Sequence, residues 1–62
     1  MDLDKINPEC RSHLEQLGFA FIKSHGVWAN RKLGKERTIS YEEVRDHDLA
    51  WLKYRIAELA VT

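Results

Sequence analysis

The stretch Ile39-Ser40-Tyr41-Glu42-Glu43-Val44 constrains this 62-residue chain more than any other. Ser40 with Glu43 three residues on is a capping box, in which the serine accepts from a backbone N–H of the first turn and the glutamate reaches back to the cap. Ile39 and Val44 stand at the two positions whose side chains staple across such a start. A helix therefore begins at Tyr41. No Gly or Pro follows to stop it, which predicts a long helix over 41–60. At 1.5 Å per residue it would run ~30 Å, about the width of a small domain.

On a helical wheel of that segment, Tyr41, Val44, Leu49, Trp51, Leu52, Ile56, Leu59 and Ala60 cover nearly half the circumference. Such an arc is wider than one short helix and a hairpin need from one side. Arg45, Asp48 and Arg55 fall within it. They either lie at its margins, with Asp48 paired to Arg45 or Arg55, or set the register of a seam facing a partner.

An earlier helix is announced by Asn7-Pro8-Glu9. Asn7 can accept from free backbone N–H groups, Pro8 suits the first helical position, and Glu9 sits at the positive end of the dipole. Cys10, Leu14 and Leu17 then recur at the spacing of one narrow apolar stripe. Gly18 can close the helix in a left-handed conformation and fold Phe19 back onto Leu14, so residues 8–17 are expected to be helical.

Residues 19–39 decide the fold. Phe19-Ala20-Phe21-Ile22-Lys23 is aromatic and β-branched, Ser24-His25-Gly26 suits a turn, and a second strand can start at Val27. In that arrangement Phe19, Phe21 and Lys23 share one face, with Ala20 and Ile22 on the other. Val27, Ala29 and Leu33 lie opposite Trp28 and Asn30. A hairpin over 19–33, with a short third strand over 37–39, gives an α+β domain of α-β-β-α order. The rival is a helix over 19–33, making a three-helix domain. Gly26 at its centre would cost ~1 kcal/mol, which favours the hairpin.

Chain length limits the rest. A single domain over 1–62 buries only ~60% of the surface its unfolded chain exposes. Small domains offset this with disulfides, metals, oligomerisation or unusually good packing. Cys10 is the only cysteine, so no internal disulfide can form, and the histidines at 13, 25 and 47 have no zinc-type spacing. A buried thiol in a reducing compartment is expected of Cys10, and homodimerisation or tight packing becomes the route to stability. The first residues have neither a basic region nor an apolar run, so no signal peptide is expected. No apolar stretch approaches the ~20 residues that cross a bilayer, and the expected location is the cytoplasm, without membrane contact.

Charge is zero overall but segregated: residues 23–37 carry a net +4 between flanks of −2 each. A basic hairpin with an aromatic is a candidate nucleic-acid surface, through Lys23, His25, Trp28, Arg31, Lys32, Lys35 and Arg37. Against it stand a sequence pI of 6.8 and the absence of an aromatic-rich RNA-binding strand. Catalysis finds little support. Asp46, His47 and Asp48 are adjacent and diverge by ~100° in a helix, and there is no phosphate loop or nucleophile elbow. No enzyme activity, metal or cofactor is expected. The favoured reading is a small interaction module that regulates or inhibits a macromolecular partner. Its contacts would be Tyr41, Arg45, Asp48, Trp51 and Arg55 on the second helix, with the basic hairpin as a second surface.

Overall fold

The structure is a computed structural model that describes residues 2–34 and 36–61. Among them the chain forms a 3-10 turn at Leu3–Lys5, α1 at Pro8–Gln16, β1 at Ala20–Ile22, β2 at Val27–Ala29, β3 at Thr38–Ser40, α2 at Tyr41–Asp46 and α3 at Leu49–Val61. The domain is α+β, and the hairpin prevails over the three-helix alternative. The sheet is antiparallel in the order β1-β2-β3. Its registers set Phe21 opposite Trp28 and Trp28 opposite Ile39.

Each element end has a local cause. The Asn7 side chain accepts from the N–H of Glu9 at 3.0 Å, and Pro8 occupies the first turn of α1. At the far end Gly18 takes φ 91°, the N–H of Phe19 reaches the carbonyl of Leu14 at 2.9 Å and that of Gly18 reaches Glu15 at 3.1 Å. This pair of bonds is the Schellman ending, and it seats the buried Phe19 and Leu14 in one core. Between β1 and β2 the Ile22 carbonyl accepts from the N–H groups of both His25 and Gly26, and Gly26, at φ 65°, reverses the chain. Ser40 ends β3 and caps α2, accepting from the N–H of Glu43 at 3.2 Å.

The core is one cluster. Ile6, Cys10 and Leu14 come from the N-terminal segment and α1, Trp28 and Ile39 from the sheet, Tyr41 and Val44 from α2, and Leu52 and Leu59 from α3. Phe21 packs against it, its ring centroid 4.7 Å from that of Trp28, and Trp28 stacks at 9° on Tyr41 with centroids 6.4 Å apart.

Two expectations need correction. The helix expected to run unbroken over 41–60 is two helices. His47 leaves helical geometry at φ −127°, ψ 174°, and Asp48 accepts from the N–H of Trp51 at 3.0 Å, capping a new start. The wide apolar arc has the same origin. One wheel superimposed two helices whose azimuths are unrelated, and each needs only its own inner side. The second correction concerns Leu33. β2 ends at Ala29, because Asn30 accepts from the N–H of Lys32 with its side chain and from that of Leu33 with its carbonyl. Leu33 therefore packs against the core instead of sharing the outer face with Val27 and Ala29.

Candidate binding surface on the open face of the sheet

Alternation along three short strands makes two unlike faces. The inner one presents Phe21, Trp28 and Ile39 to the core. The outer one presents Ala20 and Ile22 from β1, Val27 and Ala29 from β2, and Thr38 from β3, brought side by side by the pairs Ala20–Ala29, Ile22–Val27 and Ala29–Thr38. Among the described residues no helix covers this face: Ala20 and Ile22 are exposed, and the other three are half-buried by their neighbours. Ile22 keeps 39% of its surface in solvent. The floor is small and apolar, with no aromatic ring.

Open hollows lie along it. One of about 460 Å³ is bounded by Ala20, Ile22, Ala29, Asn30, Arg31 and Gly34. Another of about 320 Å³ lies between Ile22, His25, Val27, Ala29 and Thr38. Arg31 thus borders one end of the floor and His25 the other, and Lys32 joins Arg31 beside a third hollow that also touches Glu15. Lys23 stands exposed in the β1–β2 turn beside Ile22. The Ser24 hydroxyl is 2.9 Å from Nδ1 of His25 and steadies the ring there.

The seven residues of the basic segment therefore separate. Lys23, His25, Arg31 and Lys32 are exposed on the hairpin. Trp28 is 5% exposed and faces the core, so it cannot stack on a base at the surface; the reason is its register opposite Phe21 and Ile39. Arg37 is half-buried and donates from Nη1 to the Leu59 carbonyl at 2.7 Å, closing the C-terminal end of α3. Lys35 lies outside the described residues.

The residues singled out near the C-terminus do not form one surface either. Tyr41 is buried and donates its hydroxyl to the Asp2 carbonyl at 2.6 Å. Arg45 is exposed, pairs with Asp46 at 3.0 Å and lies 5.7 Å from the centre of the Tyr41 ring. That hydrogen bond raises the Arg45 pKa and lowers that of Asp46. Asp48 pairs with neither Arg45 nor Arg55, contrary to expectation. It is spent on the cap of α3, while Arg55 approaches Glu43 of α2 at 3.7 Å. Trp51 is half-buried and stacks on His47, centroids 4.2 Å apart at 16°. The His47 ring in turn has Nδ1 2.6 Å from the Glu43 carbonyl. These contacts brace the elbow between α2 and α3.

Cys10 is fully buried, and burial, followed by the carboxylates of Glu9 and Asp48, pushes its thiol pKa up, away from the reactive thiolate. Among the described residues no three His, Cys, Asp or Glu side chains gather where a metal ion could be held. No described helix is long and apolar enough to cross a membrane. The open sheet face escaped the sequence reading as a surface, although its signal was present. In β1 and β2, small aliphatic residues alternate with aromatic ones, and the smaller set forms the side that stays uncovered.

No protein-family model matches this chain, and no curated protein or solved structure matches it either.

Proposed function

We propose that this protein is a small non-enzymatic interaction module that regulates or blocks a partner protein by holding an acidic, amphipathic segment of it against the open face of the sheet. One observation carries the reading: an uncovered aliphatic floor of Ala20, Ile22, Val27 and Ala29 lies between exposed polar residues, the cation Lys23 with His25 at one end and the cations Arg31 and Lys32 at the other. Apolar side chains of the segment would lose water against the floor, and its carboxylates would meet the rim. The rim charges steer and orient more than they tighten. The floor supplies affinity, at roughly 25 cal/mol for each Å² of apolar surface removed from water.

The same four residues support a second reading, binding of single-stranded nucleic acid. The floor argues for protein instead, since base-stacking platforms depend on exposed aromatic rings and the only ring among the residues bordering this face is the His25 imidazole at one end. The two readings part in one titration. A fluorescently labelled acidic amphipathic peptide and a labelled single-stranded oligonucleotide are each added to the protein over a series of salt concentrations. The peptide is expected to bind, and Ile22→Glu to weaken it by about tenfold or more, the equivalent of ~1.4 kcal/mol. Arg31→Glu should weaken it as well. If the oligonucleotide binds and the peptide does not, with affinity falling steeply in salt, the nucleic-acid reading replaces this one. Binding of neither probe removes both.

A further inference from the structure

The outer side of α3 carries a second apolar surface that the core does not use. Leu52 and Leu59, the two buried residues of this helix, both point into the domain. On the opposite side Ala50, Tyr54, Ala57 and Val61 recur at spacings of four, three and four, within an arc of about 60° at 100° per residue. All four are exposed, Tyr54 by 66% and Val61 by 83%. An open hollow of about 420 Å³ lies along the stripe, between Tyr54, Ala57, Glu58 and Val61. A helix that is apolar on both sides commonly has both covered.

In heptad terms Tyr54 and Val61 are a positions, and Ala50 and Ala57 are d positions. The flanks then hold Lys53 at g and Glu58 at e, both exposed. In a parallel pair of helices a g residue meets the e residue five positions further along the other chain. Lys53 of one copy would meet Glu58 of the other, and the two-fold axis would repeat the contact. An antiparallel pair would instead set Lys53 beside Ala60 and Glu58 beside Trp51, with no opposite charges in contact. The occupant whose charges complement this stripe is therefore the same stripe of a second copy.

We propose that two copies of this chain associate through the outer faces of α3, in parallel, with Ala50, Tyr54, Ala57 and Val61 in the seam and reciprocal Lys53–Glu58 contacts at its edges. The stripe runs ~17 Å, short for a specific interface, so the association is reversible and depends on concentration. It leaves the sheet free and does not depend on what the sheet binds.

Sedimentation of the whole protein over a wide concentration range tests this. The mass should rise from one 7.3 kDa chain towards two, and Tyr54→Glu should hold it at one. Lys53→Glu and Glu58→Lys should each weaken assembly, on the order of tenfold for two symmetric contacts, and the double exchange should restore it. An Ala57→Cys variant should cross-link to itself under mild oxidation, since residue 57 meets its own counterpart only in the parallel pairing. Far-ultraviolet circular dichroism checks that each variant keeps its fold. The proposal is overturned if the wild type stays a single chain throughout, if Tyr54→Glu assembles as well as wild type, or if the double exchange restores nothing. Ile22→Glu should leave the assembly unchanged, and Lys53→Glu should leave peptide binding at the sheet unchanged, so the two proposals fail separately.

Discussion

Asn30 is the one buried polar residue among those described, and its side chain joins two elements. Nδ2 donates to the carbonyl of Leu17, at the end of α1, at 2.9 Å, while Oδ1 accepts from the N–H of Lys32 and turns the chain out of β2. Both halves of the amide are used, which suits Asn better than Asp or Leu. Asn30→Ala should cost about 1 kcal/mol, because it removes the hydrogen bonds to the Leu17 carbonyl and from the Lys32 N–H. A lower urea midpoint with an unchanged slope would verify this. Alternation places Asn30 on the same side as Trp28, but β2 ends at Ala29 and Asn30 borders the hollow on the outer face. Its partner could not be foreseen, because Leu17 lies 13 positions away and nothing local marks the contact. Trp28 follows the same logic: exposure at the surface or burial in the core depends on which face of the sheet the helices choose.

Element ends were legible wherever a side chain or a glycine within a few residues satisfies them. The cap at Ser40, the cap at Asn7 and the ending at Gly18 all act over one turn of chain. The break between α2 and α3 is just as local, yet the sequence reading ran the helix through it. Asp48 three residues before Trp51 is a valid cap signal, masked because no Gly or Pro interrupts the segment. Asp48→Ala should therefore destabilise the protein by about 1 kcal/mol, the usual loss of an N-cap. Amide hydrogen exchange should locate the effect in the first turn of α3 and spare α2. If the loss were spread evenly over both helices, the elbow would be held by packing rather than by the cap. The stack of His47 on Trp51 and the Arg55–Glu43 approach then fix the angle at which the second helix leaves.

The whole molecule measures only 29 × 26 × 18 Å and has no disulfide to staple it, so contacts between distant parts of the chain carry its cooperativity. Among the described residues, two hydrogen bonds span the most sequence. Tyr41 reaches the Asp2 carbonyl across 39 positions, and Arg37 reaches the Leu59 carbonyl across 22. Arg37→Met preserves an apolar stem of similar length and deletes only the second bond. The expected loss is about 1–2 kcal/mol, read as a lower melting temperature together with faster amide exchange in the last turn of α3. At this scale the segregated charge also takes on a shape. Part of the basic segment became structure, in Arg37, and part became rim, in Lys23, His25, Arg31 and Lys32.

By itself the sequence determined where α1 starts and stops and where α2 starts, and it favoured short strands around glycine turns between them, because caps, glycine turns and strand periodicity act within a few residues. Tertiary structure alone decided which face of the sheet is covered. Both faces are apolar, and the helices cover the one where Phe21, Trp28 and Ile39 offer more surface to bury. The smaller, aliphatic face was left to solvent, between the cations of the hairpin, and so became the candidate binding surface.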